Sequence, residues 1–219
     1  MSVDVVPPVQ ELGFLKRRHF VLHPVFGDHS QSFFSMTPIQ RAVFLDRDGI
    51  LNASEIREGR PYAPRRVEDF HIYPDARAAL ERLKNEDFLL IVATNQPDVG
   101  NGFIKKHVVQ EMHRRLKDSL PIDDIEVCYS AQSENSPRRK PAPGMLLDAA
   151  SRWQIDLSQS YIIGDRWSDM EAGRRAGCLT IWIDYGYTEK MPECPDFCTR
   201  SFAEAVECVL THSVSRKNS

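Results

Sequence analysis

The sequence predicts a doubly wound α/β domain built on a parallel sheet, and three observations carry that expectation. Five runs of strand length, RAVFL (41–45), FLLIVAT (88–94), IEVCYS (125–130), SYIIGD (160–165) and LTIWID (179–184), are dominated by consecutive rather than alternating apolar residues. That pattern suits strands covered on both faces. Segments with a helical apolar period separate the runs, so successive strands are joined by right-handed crossovers. Polar and charged residues stand directly after the runs, where open parallel sheets bind their ligands.

Residues 1–38 read as a loosely ordered N-terminal extension to a domain spanning 39–219. The extension holds Pro7, Pro8, Pro24 and Pro38, a basic cluster at Lys16–His19 and the polar stretch GDHSQS. It sustains no period of 2 or 3.6, and one short element near 18–26 is the most it supports. From residue 41 the pattern is regular. Residues 75–85 place Ala76, Ala79, Leu80 and Leu83 on one helical stripe. Residues 105–120 space Val108, Met112, Leu116 and Leu120 four apart, and Pro121 closes the helix. Residues 143–153 are helical with Pro143 suited to the first turn. A helix over 168–177 has Ser168 as its cap and Gly177 as its stop. A last helix covers 201–210.

The chain of 219 residues is long enough for one well-buried domain and short for two. Its 42% apolar and 27% charged residues are ordinary for a globular protein. A formal net charge of −3 offers no electrostatic basis for nucleic acid or an anionic membrane as main partner. No apolar run approaches the roughly 18 residues of a membrane span. The opening MSVDVVPPVQELG lacks the basic-then-apolar pattern of an export signal, so a cytoplasmic location is expected. The cysteines, Cys128, Cys178, Cys194, Cys198 and Cys208, are odd in number and read as reduced thiols. Cys194 and Cys198 form the one close pair, with His212 the one further ligand nearby, too few for zinc. Cys178 reads as core, and His71, His107 and His113 as surface or helix-face residues.

Four strand ends supply the chemistry. Asp46 and Asp48 follow the first run in VFLDRDGILN, Thr94 and Asn95 end the second, Lys140 lies in RRKPAPG, and Asp165 and Asp169 follow the fourth in GDRWSD. Taken alone, DRDG is an acidic turn. A calcium loop of the EF-hand kind is excluded, because Gly49 stands at position four and Ile50 where an acceptor belongs. Three carboxylates together suit a hard divalent cation such as Mg²⁺. A hydroxyl and a lysine suit the oxygens of a transferring phosphoryl group. One aspartate can attack phosphorus and a second, two residues on, can move the proton. Arg138 and Arg139 beside Lys140 suit a further anionic group on substrate.

The ordered set FLDRDGILN, TNQPDVGNGF, RKPAPGMLLDAA and IIGDRWSDMEAGRRAGC, over about residues 41–185, resembles the haloacid-dehalogenase-like (HAD) hydrolase superfamily. Within it, the branch of heptose-bisphosphate and histidinol-phosphate phosphatases is most similar. The resemblance implies a Rossmann-like fold, with Asp46 as nucleophile and Asp48 as general acid/base. It implies phosphoryl binding by Thr94 and Lys140, with Asn95 and Arg139 facing substrate and Asn95 close to the phosphoryl group. It further implies a Mg²⁺ site of Asp46, Asp165 and the Asp48 carbonyl, with Asp169 behind it. The connection Gly49–Pro64 would be the mobile flap of that family. Asp48 to Thr94 and Thr94 to Lys140 each span 46 positions already filled by expected elements, so the protein reads as capless.

Two departures bear on substrate. The zinc loop common in the branch is reduced here to Cys128 in CYSAQSENSPRRKP, so no zinc is expected; Pro97-Asp98 and Asn101 replace the usual residues of the second loop. The expected activity is a Mg²⁺-dependent phosphatase on a small phosphorylated metabolite, a sugar phosphate or heptose bisphosphate, with an aspartyl-phosphate intermediate. A nucleic-acid-end phosphatase, a histidinol-phosphate phosphatase and a non-catalytic binding protein on the same scaffold are the alternatives. Oligomeric state is not legible.

Overall fold

The computed structural model describes residues 20–24 and 34–217. Strands β1 (Phe20–Pro24) and β2 (Phe34–Pro38) pair antiparallel, Leu22 opposite Met36, in a unit that ends at Ile39. The basic cluster Lys16–His19 and the stretch GDHSQS up to Ser32 lie outside the described residues.

From Gln40 onward the expected strands form. They are β3 (Arg41–Leu45), β6 (Phe88–Asn95), β7 (Asp124–Cys128), β8 (Tyr161–Gly164) and β9 (Leu179–Ile183), joined by β10 (Phe197–Thr199). A hairpin of β4 (Glu55–Arg57) and β5 (Arg60–Tyr62) stands apart from the main sheet. The helices are α1 (Ala76–Lys84), the single turn α2 (Pro97–Gly100), α3 (Lys106–Ser119), α4 (Gly144–Trp153), α5 (Trp167–Ala176) and α6 (Phe202–Lys217). Six parallel strands lie in the order β10-β9-β8-β3-β6-β7. The chain builds outward from β3 to β6 and β7, then returns to the other side for β8, β9 and β10. This reversal at β3 opens a crevice at the C-terminal strand ends.

Strand parity fills both faces. Val43, Leu45, Leu90, Val92, Ile163 and Ile181 join Leu80, Met112, Leu116 and Val206 in one core. Ala42, Phe44, Ile91, Ala93 and Ile162 join Met145, Leu146, Ala149 and Met170 in the other. Each fully buried aliphatic side chain contributes about 1.5–3 kcal/mol, so neither face tolerates a polar intruder cheaply. The intervals between Asp48 and Thr94 and between Thr94 and Lys140 hold only β4–β5, α1, β6, α2, α3, β7 and short 3-10 turns. No inserted cap domain is present in either, as expected.

Several details differ from the sequence reading. The buried face of α3 is Val109, Met112, His113 and Leu116, one step round from the expected stripe, and it takes in His113. The cap of α5 is Arg166, whose N–H donates to Asp169 Oδ2 at 3.0 Å, while Ser168 already lies inside the first turn. Helix α6 runs on to Lys217. The CPDFC segment carries β10, pinned because Asp196 accepts from the Thr180 N–H and hydroxyl at 2.8 Å. His212 is committed to Tyr161 Oη at 2.8 Å and lies edge-on to Phe197, and Cys194 and Cys198 are exposed thiols.

Candidate active site

Asp46 begins where β3 ends. Its N–H continues the ladder to Ile163 O at 2.9 Å, which sets the carboxylate at the sheet rim beside β8. Across the crevice, Lys140 is buried, and its Nζ lies 2.8 Å from Asp46 Oδ1, 2.6 Å from Asp169 Oδ1 and 2.6 Å from Ala93 O. Asn95, at the tip of β6, accepts from Lys140 N at 3.0 Å and donates to Lys140 O at 2.9 Å. The Asn95 carboxamide thus clamps the lysine main chain. Thr94 is buried, and its Oγ1 accepts from Gln96 Nε2 at 2.9 Å.

Asp165 follows β8 and is almost wholly buried. One ligand oxygen each from Asp46, Asp165 and Asp169 lies within 4.8 Å of the others. Asp169 can approach because residue 164 is glycine; a Cβ there would stand 2.5 Å from the Asp169 carboxyl. Burial first, then the neighbouring carboxylates Asp169 and Asp48, raise Asp46 to about 6 against the opposing pull of Lys140. Asp165 is pushed well above its ordinary value by burial, then by Asp46 and Asp169. Lys140 loses to burial but gains more from Asp169 and Asp46, so its ammonium is held above the usual lysine range. Three carboxylates around one ammonium leave two negative charges without a partner when all are ionised. Asp165 Oδ1 is buried with no hydrogen-bond partner among the described residues. An all-oxygen donor set with a two-charge deficit and an orphaned carboxylate oxygen fits a hard divalent cation.

Asp48 is held separately. Arg47, fully buried, donates from Nε and Nη2 to its carboxylate, and Asn52 Nδ2 and Gln96 Nε2 add bonds of 3.0 and 2.8 Å. Arg47 Nη1 also meets His113 Nε2 at 3.1 Å. His113 is thus no surface residue; burial first, then Arg47, lowers its pKa to about 3. Arg139 is half-buried with a long contact to Ser130 O at 3.4 Å, and burial lowers its pKa, with the Arg166 charge adding to the effect. Arg47, Asn52 and Gln96 carry no site role on sequence grounds, and His113 reads there as a surface or helix-face residue. Asn52 and Gln96 sit inside the quoted motifs ILN and TNQ, and His113 follows Met112 on the helical stripe begun by Val109.

The loop after β9 closes one side of the site. Tyr187 Oη donates to Asp165 Oδ2 at 3.1 Å, Thr188 bonds Gly59 O and Glu58 O at the tip of the β4–β5 hairpin, and Glu189 grips Arg166 through both oxygens.

Comparisons with known proteins agree with this architecture. A family model described as HAD-hydrolase-like matches residues 137–205. A D-glycero-beta-D-manno-heptose-1,7-bisphosphate 7-phosphatase of Rhodopseudomonas palustris is 34% identical over 152 residues, 64% of this chain and 81% of the relative. The D-glycero-D-manno-heptose-1,7-bisphosphate 7-phosphatase of Thermosynechococcus vestitus is 30% identical over 198 residues, 80% of this chain and 98% of that protein. A crystal structure of D,D-heptose 1,7-bisphosphate phosphatase from B. bronchiseptica, complexed with magnesium and phosphate, matches with a TM-score of 0.67 at 25% identity, covering 79% of this chain and 99% of that one. The chain belongs to the haloacid-dehalogenase-like hydrolases, in the branch that contains the heptose-bisphosphate phosphatases.

Proposed function

We propose that the protein is a Mg²⁺-dependent phosphatase that hydrolyses a phosphorylated sugar, with a heptose bisphosphate the leading substrate, through an aspartyl-phosphate on Asp46. The observation that carries this reading is the joining of Lys140 to two buried carboxylates, Asp46 and Asp169, with Asp165 alongside, at the C-terminal rim of the sheet. The names of the sugar-bisphosphate phosphatases that the chain resembles support the substrate class.

Asp46, Asp165 and the main-chain carbonyl of Asp48 would hold Mg²⁺, while Asp169 stays on Lys140. When bound, the cation supplies charge neutralisation for the carboxylates and the phosphoryl oxygens. A carboxylate oxygen of Asp46 attacks phosphorus as the bond to the sugar oxygen breaks, and Asp48 gives that oxygen its proton. Water then attacks the aspartyl-phosphate and Asp48 recovers the proton, releasing phosphate and restoring Asp46. Thr94 accepts from Gln96, so its own O–H is left to donate to a phosphoryl oxygen. Lys140 holds its charge through the cycle and steadies the equatorial oxygens. Arg138 is tied to Glu126 and Asp148, which leaves Arg139 as the arginine suited to a second phosphate on the substrate.

The test is a screen of sugar mono- and bisphosphates, histidinol phosphate and phosphorylated nucleic-acid ends, with and without Mg²⁺, ranked by kcat/KM. A heptose or related sugar bisphosphate at the head of the ranking, and no turnover without the cation, is the expected result. A ranking led by nucleic-acid ends or histidinol phosphate overturns the substrate reading.

A further inference from the structure

Asp165 has two oxygens in unequal surroundings. Oδ1 is buried without a hydrogen-bond partner among the described residues, whereas Oδ2 is fixed from two sides. On one side Tyr187 Oη donates to it at 3.1 Å. On the other lies Gly49, in a left-handed conformation at φ +90°, where a Cβ would stand 2.2 Å from Oδ2. The carboxylate therefore has one oxygen engaged and one presented. Tyr187 belongs to a loop that is tied down at consecutive residues. Thr188 N donates to Gly59 O at 2.9 Å and its hydroxyl to Glu58 O at 3.0 Å, joining the loop to the hairpin that follows the Asp46–Asp48 segment. Glu189 pairs with Arg166, the residue after Asp165, at 2.6 and 2.9 Å. Lys190 lies over the Trp167 ring at 4.6 Å. A phenol held by so many anchors is not a chance neighbour of a site carboxylate.

We infer that Tyr187 is a positioning residue for the divalent-cation site: its hydroxyl holds Asp165 Oδ2 so that Oδ1 is turned to the cation. The inference rests on the reading of Asp46 and Asp165 as cation ligands. Partners that orient a ligating carboxylate are worth about 10–100-fold in metal affinity. Tyr187→Phe deletes only the hydroxyl and keeps the ring against Tyr185, whose centroid lies 5.8 Å away. A purely structural role for the ring is therefore preserved in the variant.

The experiment is calorimetric titration of MgCl₂ into the full chain, its Tyr187→Phe variant and an Asp165→Asn control, with far-ultraviolet circular dichroism to verify the fold of each. Expected are no measurable Mg²⁺ binding in Asp165→Asn and a roughly tenfold weaker Kd in Tyr187→Phe at unchanged stoichiometry. In turnover, the concentration of Mg²⁺ giving half-maximal rate should rise by the same factor, with the rate at saturating Mg²⁺ largely restored. If Asp165→Asn loses Mg²⁺ while Tyr187→Phe binds within twofold of the unaltered protein, or more tightly, the role of Tyr187 is overturned and the cation site stands. If Asp165→Asn binds Mg²⁺ like the unaltered protein, the cation-site reading itself fails, and the role of Tyr187 with it.

Discussion

Arg47 and Asp48, neighbours in sequence, form an ion pair at 2.8 Å in which the arginine side chain is wholly buried. Consecutive residues in a strand point to opposite faces, so this pairing requires the chain to leave the extended conformation directly after Asp46. The turn closed by Leu51 N and Asn52 N on Arg47 O does so. Removing one partner of a buried pair leaves the other charge without compensation, at a cost of about 3–5 kcal/mol. Arg47→Met is expected to lower unfolding stability by about 3 kcal/mol in urea, because Asp48 keeps Asn52 and Gln96 as donors. A loss under 1 kcal/mol would show that those two amides suffice.

His113 gives the fold an acid sensitivity. Its folded-state pKa, about 3, lies below the ordinary 6.5 of the unfolded chain. Below pH 6.5 the unfolded chain takes up a proton that the folded protein refuses, so stability falls as pH drops from about 6.5 toward 3. The limiting slope from this one group is about 1.4 kcal/mol per pH unit. His113→Gln keeps a polar group near Arg47 and has no proton to take up. Urea midpoints measured at pH 7, 6 and 5 are expected to fall less steeply in the variant. Parallel profiles for the two proteins would assign the acid loss to other groups.

How much of this was legible in the sequence depended on what each residue's partner was. The strands were read correctly because consecutive apolar residues such as Val43, Phe44 and Leu45 declare two-sided burial without reference to anything distant. The clustering of Asp46, Lys140, Asp165 and Asp169 followed from the rule that parallel strands deliver ligand groups at one edge. His113, satisfied by Arg47, occupies an apolar position on the buried face of α3, which a periodicity of apolar residues alone does not reveal. The contact of Asn95 with the Lys140 main chain joins residues 45 apart and has no local signature. Strand β10 is three residues long and depends on Asp196 reaching Thr180, a tertiary contact with no local pattern. Tyr187 carried no signal in its own segment, since its meaning lies in Asp165.

The clamp between Asn95 and Lys140 makes a kinetic claim. Asn95→Ala removes both bonds that fix the lysine main chain, while Nζ keeps Asp46, Asp169 and Ala93 as partners. A misplacement of order 1 Å at a charge-stabilising group can cost about a hundredfold in rate. The variant is expected to lose about 10–100-fold in kcat with little change in KM, measured on the best sugar phosphate from the screen. A rise in KM at constant kcat would return Asn95 to direct substrate contact.

The division of labour between Asp46 and Asp48 is tested through the leaving group. Asp46→Asn removes the proposed nucleophile and should abolish turnover of every phosphate ester while leaving the fold intact; full activity would exclude the covalent route. Asp48→Asn removes the proposed proton donor together with the charge that pairs with Arg47, while its amide oxygen still accepts from Arg47. General acid catalysis is worth about 10²–10⁴-fold where the departing oxygen needs a proton. A sugar alkoxide needs one and a nitrophenolate does not. In Asp48→Asn, burst formation of phosphoenzyme from an aryl phosphate should therefore survive far better than from a sugar phosphate. Equal losses on the two esters would mean that Asp48 acts through placement of the site and not through its proton.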